Sequence, residues 1–503
     1  MILNKKRPID VLIISEGTFP YVKGGVSTWI YDLITNLKEF QFGVVFIGSR
    51  REDYGDIQYE FSENLVFLDA YYLFDYSYRP KPRILNGNKK AFDELRNLHI
   101  WFKRRTGMFP EEVRRLRFYK SYLKEEDFLY SRRSWEFIED YYFEYAPELP
   151  FLYYFWTVRN IHLPIWRIAE IASELPDCKI VHSPSTGYAG LLGSFIMYDR
   201  GIPFILTEHG IYTKERKIDI MEAEWIEDAR WWFQKESAEV DHVKNMWINF
   251  FIGIGKFCYE SANPIISLFE GARQMQIIYG AESSKTLVIP NGVRVEKYAP
   301  LRGKRKEIPN IIALIGRVVP IKDIKTFIKA IRITMKDIPD VKGWIVGPTD
   351  EDPAYYEECK RLVNVLNLEK HIIFTGFKRL DEILDKVGLV TLTSISEGMP
   401  LVILEGFAAG VPAVVTDVGS CSQLICGGLD DEDLSIGKAG EVVPIADPSS
   451  LARAYVFLLK DKQRWEKTSN AAIKRVEKYY NFERFLMSYS DIYKKAMYGR
   501  NRF

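Results

Sequence analysis

Two doubly wound α/β domains, each Rossmann-like, follow from three features of the sequence. Short apolar runs of strand length recur, ended by glycine or polar residues, as in VLIIS (11–15), FGVVFIG (42–48) and IIALIG (311–316). Apolar residues at helical spacing fill the intervals between them, and strand–helix–strand units with right-handed crossovers build parallel sheets. At 503 residues the chain exceeds what one hydrophobic core usually supports, so two domains are expected.

The first strand, VLIIS, runs into the loop EGTFPYVKGG, which holds Pro20, Gly24 and Gly25. Val26, Trp29, Ile30, Leu33, Ile34 and Leu37 then repeat with helical period. FGVVFIG is the second buried strand. From about 70 to 165 the composition shifts to aromatic, Arg and Lys residues, in YYLFDYSY, WFKRRTGMFPEEVRRLRFYK and FLYYFWTVRNIHLPIW. These stretches predict a helical insertion stiffened by aromatic packing. Strands resume at KIVHSPSTG (179–187) and PFILTEHG (203–210), each ending in polar residues. Ligands gather at the carboxyl ends of strands in open α/β sheets, which marks His182 and His209.

A strand and turn at TLVIPNGV (286–293) precede PLRGKRKEIPN (300–310), which reads as an interdomain linker. The second set of units comprises IIALIG, a helix at 323–336, GWIVG, a helix at 354–366, HIIFTG, a helix at 380–386, LVTLTS, a helix at 400–409, and PAVVTD. The expected boundaries are 1–300 for the first domain, 301–480 for the second, and 481–503 for a last helix packing back on the first.

Composition narrows the function. Sixty-nine basic and sixty-eight acidic side chains leave a net charge of +1, which argues against a general nucleic-acid binder. The five cysteines (178, 258, 359, 421 and 426) are scattered without metal-binding spacing, as expected of reduced thiols in a cytoplasmic protein. No stretch has the length and apolarity of a membrane span, and the basic start is followed by too short an apolar run for a signal peptide. Any association with the inner membrane is expected to run through partners.

In EGMPLVILEGFAAGVPAVVTDVG (397–419) two carboxylates, Glu397 and Glu405, interrupt an apolar stretch. Pro400 suits a helix start and Gly410 its stop. Eight residues of helix span roughly 12 Å, the reach from a hexose to a ribose across a diphosphate. The helix start between them, with Gly398, Met399 and Leu401, offers amides and a positive dipole end to phosphate. The alternative is a loop acid at 397 and a solvated helix acid at 405. In ALIGRVVPIKDIKTF, Arg317 follows a strand and Lys322 opens a helix, a pair able to neutralise a leaving diphosphate without a metal. The DED runs at 350–352 and 431–433 read as exposed acidic loops rather than metal ligands.

These residues also carry a resemblance. GRVVPIK followed by EGMPLVILE resembles the signatures of the family 4 glycosyltransferases, retaining enzymes of the GT-B fold. EGTFPYVKGGVSTW, HSPSTGYAGLLG, TEHGIYTKER and IPNGV resemble the branch of that family that builds the Pel exopolysaccharide of biofilms. The resemblance implies two domains facing a cleft and transfer of a hexose from a nucleotide sugar, UDP-linked, to a growing polysaccharide, with no metal cofactor. It implies that Arg317 and Lys322 hold the donor diphosphate, Glu405 the ribose, and that Glu397 and His209 lie at the donor sugar. The Gly24–Gly25 loop would approach the phosphates, and His182 would serve the acceptor side. Two alternatives stay open on the residues: a nucleotide-sugar-binding scaffold of a synthase complex, and a UDP-sugar 2-epimerase.

Overall fold

The structure is a computed structural model that describes residues 2–75, 81–223 and 241–499. The chain divides into two compact units, one of residues 1–267, 273–287 and 490–503, the other of 268–272 and 288–489.

The first unit is built on an eight-stranded sheet of β1 (Leu3–Asn4), β2 (Ile9–Glu16), β3 (Phe42–Gly48), β4 (Leu65–Tyr72), β5 (Cys178–Ser183), β6 (Phe204–Glu208), β7 (Ile265–Ser267) and β8 (Thr286–Val288). Their spatial order is β1-β4-β3-β2-β5-β6-β7-β8. Strands β2 to β7 pair in parallel, and β1 runs antiparallel to β4. Val11, Leu12, Ile13 and Ile14 of β2 are all fully buried, the signature of a strand covered on both faces.

Among the described residues, four α-helices lie between β4 and β5, Lys89–Arg104, Glu125–Tyr130, Arg132–Tyr145 and Phe151–Glu174. This is the insertion that the aromatic composition predicts, and it runs on past 165. Its residues 76–80 lie outside the described ones. Ring stacking ties it together and to helix His242–Ser261: Phe128 lies on Trp166 at 4.6 Å between centroids, and Phe109 on Phe257 at 3.9 Å.

The second unit carries six parallel strands, β9 (Ile311–Ile315), β10 (Lys342–Val346), β11 (Ile372–Gly376), β12 (Leu389–Leu392), β13 (Ala413–Thr416) and β14 (Gly440–Val443). The order β11-β10-β9-β12-β13-β14 reverses direction between β9 and β12, the switch point where doubly wound sheets open a crevice. Helices Ile324–Thr334, Pro353–Val365 and Leu401–Ala408 follow three of these strands.

Three local readings are corrected. The helix expected at 380–386 is two tight 3₁₀ turns, Leu380–Glu382 and Leu384–Lys386, neither capped by a side chain, because so short a crossing gives too few bonds to offset helix nucleation. The 300–310 stretch is not a free linker. Arg302 donates to the carbonyl of Ala408 at 2.8 Å, and Arg305 donates to that of Leu384 at 2.7 Å while stacking over Trp465.

Of the 431–433 acids, Asp431 and Glu432 are exposed, but they sit in a short helix rather than a loop, and Asp433 is not exposed. Asp433 is fully buried in the short helix Asp431–Ser435 and pairs at 2.7 Å with Arg475, itself fully buried. Arg475 also donates to the carbonyls of Ile425, Asp433 and Gly437. Arg475→Met strands the carboxylate in the core, so the second unit is expected to lose about 3–5 kcal/mol. Urea unfolding followed by hydrogen exchange measures this. The double variant with Asp433→Leu should recover much of the loss.

Candidate active site

At the carboxyl ends of β9, β10 and β11 the second unit encloses a cavity of about 440 Å³. Its walls are Gly316 and Arg317 after β9, Gly347 and Pro348 after β10, Phe377 to Arg379 after β11, and Val402 and Glu405 on the following helix. The loops meet closely: a β-carbon on Gly347 would lie 2.0 Å from the Gly316 carbonyl oxygen, and its φ of +155° favours glycine. Arg317 is half-exposed at this cavity and reaches Glu351 at 2.5 Å. Glu405 is not a solvated helix acid. Burial raises its pKa, opposed by the Tyr298 hydroxyl, which donates to it at 2.7 Å, and by the Lys297 charge. A carboxylate with one oxygen held by Tyr298 keeps acceptor capacity for a diol.

Lys322 and Glu397 form a second pair, 2.5 Å apart and both largely buried. Ser394 also donates to Glu397 at 2.5 Å, and Thr393 donates to the carbonyl of Lys322 at 2.7 Å. The loop that carries Glu397 follows β12 and is braced from behind. Ser420 N–H donates to the Gly398 carbonyl at 2.9 Å, and a β-carbon on Gly419 would sit 2.2 Å from the Glu397 carbonyl oxygen. Met399 and Leu401 pack their side chains against the core of this unit. The structure thus joins Arg317 with Glu405 in one cavity and Lys322 with Glu397 in one ion pair.

In the first unit a cavity of about 780 Å³ opens at the ends of β2, β3, β5 and β6. His209 lines it. The His209 ring packs edge-on against Trp29 at 4.8 Å, and burial lowers its pKa to about 4. Its Nε2 has no hydrogen-bond partner among the described residues. His182 is placed differently. It is fully buried, with Nδ1 bonded to the Tyr493 hydroxyl at 2.8 Å and Nε2 to that of Thr207 at 2.9 Å. Both nitrogens brace the fold, so the structure gives this histidine no open face for an acceptor. Gly24 and Gly25 are exposed at the start of helix Gly25–Asn36, which no side chain caps, with nothing within 4 Å of a β-carbon at either.

Sequence reasoning missed Tyr298 and Lys297 in the second unit and Glu16 in the first. Glu16 accepts from the Tyr212 hydroxyl and the Ala189 amide, both at 2.9 Å, and Arg216 donates to Tyr212 at 3.1 Å. Glu16 opens the EGTFPYVKGG loop, so an acid at a strand end was the available signal. Tyr298 had none.

The fold of the chain is GT-B-like, with two α/β units each built on a largely parallel sheet. Residues 301–475 match the family described as "Glycosyl transferases group 1". Residues 9–284 match "Domain of unknown function (DUF3492)", and the chain belongs to that family. Among curated relatives, it is 27% identical over 192 residues to a UDP-Gal:alpha-D-GlcNAc-diphosphoundecaprenol alpha-1,3-galactosyltransferase of Escherichia coli, covering 35% of this chain and 46% of the relative. It is 25% identical over 237 residues to a D-inositol 3-phosphate glycosyltransferase of Kineococcus radiotolerans, covering 43% and 54%. The chain therefore spans about half the length of the curated relatives it matches.

Of solved structures, Anabaena HepE in complex with UDP and glucose superposes with a TM-score of 0.57 at 13% identity, covering 97% of this chain and 99% of that one. Sucrose-phosphate synthase of Thermosynechococcus elongatus gives 0.56 at 16%, covering 98% and 100%. These likenesses show the fold. Among the described residues no helix is long and apolar enough to cross a membrane.

Proposed function

We propose that the protein is a retaining hexosyltransferase that takes its sugar from a UDP-linked donor and adds it to a growing exopolysaccharide of the Pel type. The observation that carries this reading is the second-unit cavity, where Arg317 and Glu405 face one space at the ends of the strands. Glu405, with Tyr298 behind it, suits ribose hydroxyls. Arg317 and Lys322 suit the diphosphate, and Glu397 suits the hexose. As the bond from the anomeric carbon to the diphosphate oxygen breaks, charge builds on that oxygen and the two cations stabilise it. The acceptor hydroxyl gives its proton to the departing phosphate and attacks from the same face, so configuration is retained. In the first unit, His209 and the open Gly24–Gly25 turn are the groups offered to substrate.

The direct test is calorimetry with UDP. Binding is expected, and Arg317→Ala should weaken it by about 1.5–3 kcal/mol, the worth of a charge-assisted hydrogen bond. Unchanged affinity would remove Arg317 from the diphosphate. Because side-chain cations meet the phosphate charge in this scheme, EDTA should leave turnover of a UDP-hexose nearly unaltered. Release of UDP together with an acceptor-bound α- or β-hexose, assigned by NMR, reads both activity and stereochemistry.

A further inference from the structure

The helical insertion and helix His242–Ser261 enclose a separate cavity of about 350 Å³, near the lower end of small-ligand sites. Phe102, Tyr154 and Phe250 line it beside three imidazoles, His99, His162 and His242. His99 and His162 stack on each other, with centroids 5.5 Å apart and planes 20° apart. His162 is 1% exposed, and its Nδ1 lies 2.8 Å from the carbonyl of Val158. That nitrogen must carry the proton, since a carbonyl only accepts, and Nε2 keeps a bare lone pair. This Nε2, like His99 Nδ1, is buried and has no partner among the described residues. At the rim stands the exposed Lys103, its ammonium over the Tyr145 ring, with the Asn249 amide also in the lining. Among the described residues, no carboxylate lines the cavity.

We infer that this cavity binds a small flat ring that bears one anionic group and one N–H or O–H donor. Aromatic and imidazole faces reward a planar, unsaturated body by stacking. The donor satisfies His162 Nε2, which otherwise stays desolvated and unpaired at a cost. The anion meets Lys103 in competition with Glu144, the acid beside that ammonium outside the lining. A monosaccharide fits less well, because its many hydroxyls would outnumber the polar groups available and leave several buried without partners. None of the candidate transfer residues lines this space, so the inference stands apart from the proposed reaction. Aromatic acids and purine mononucleotides share the required chemistry, and the probes separate them.

The full-length protein, labelled with ¹³C at the histidine Cε1 positions, is titrated with 4-hydroxybenzoate, with GMP, and with octanoate as an anion lacking a ring. Single His→Gln variants assign the signals. The expected result is movement of the His99 and His162 signals, with His371 still, by at least one of the two ring-bearing probes at millimolar concentration. Binding should weaken about tenfold or more in Lys103→Met, as one charge-assisted contact is lost. Lys103 is exposed, so this variant is expected to keep its circular dichroism. Response to one ring probe alone tells which source of the shared chemistry the cavity takes. No shift with either ring probe overturns the inference. So does an equal response to octanoate, or affinity unchanged in Lys103→Met.

Discussion

Lys322→Ala is expected to lower the transfer rate by about 100-fold or more, the usual cost of removing one preorganised charge from a developing anion. Two losses combine in that figure. The leaving diphosphate loses a cation, and Glu397, largely buried at 2.5 Å from the Lys322 ammonium, loses its counter-charge. An orphaned carboxylate beside phosphate repels it and reorients the loop that follows β12. Lys322→Arg should rescue only in part, since a planar fork does not replace the compact ammonium that pairs with Glu397. Adding Glu397→Gln to Lys322→Ala should cost less than the two single effects summed, because the partners are coupled. UDP release in a continuous assay, with thermal melts as a fold control, measures all four proteins. A rate within about twofold of wild type for Lys322→Ala would remove this residue from the reaction.

The second large effect is on stability. Five of the six histidines, His99, His162, His182, His209 and His242, fall in the first unit, and only His371 in the second. Burial lowers the pKa of all five, to about 3 for His99 and His182 and about 4 for His162 and His209. These groups stay neutral in the folded unit while the unfolded chain binds protons below its ordinary value near 6.5. Their contribution is therefore intact above about pH 6.5 and is lost as pH falls from there toward about 4. Each fully buried histidine removes about 1.4 kcal/mol per pH unit in that window.

Glu208 runs the other way. It is fully buried beneath the Tyr259, Gln276 and Thr186 donors, and burial raises its pKa to about 7. It gains stability as pH falls from about 7 to about 4.5, which offsets one histidine. The remainder lowers the stability of the first unit as pH falls from about 6.5 toward about 4, with Glu215, also raised by burial, opposing it in part. Hydrogen exchange at pH 5 against pH 7 is expected to show the first unit opening while the second keeps its protection, after correction for intrinsic exchange rates. Equal protection loss in both units would refute the assignment.

Much of the architecture was legible before any coordinates. Apolar strand runs such as VLIIS and IIALIG can be buried only between two layers of helix, and their fully buried residues in both sheets reflect that. Arg317, Lys322, Glu397 and Glu405 were visible as charges interrupting such runs near strand ends, where a doubly wound sheet must open. The aromatic content announced a packed helical insertion, though not the cavity inside it.

What local pattern determined was therefore the order of buried strands and the presence of charges at their ends. Partnership was decided by tertiary structure. Tyr298 reaches Glu405 across 107 positions, Lys322 reaches Glu397 across 75, and Tyr493 reaches His182 across 311. Periodicity reports which face of an element is apolar, a property of neighbours in the chain. Which polar atoms meet depends on how strands and helices from distant segments come to rest against one another, and that same packing turned His182 into a brace and left His209 Nε2 without a partner among the described residues.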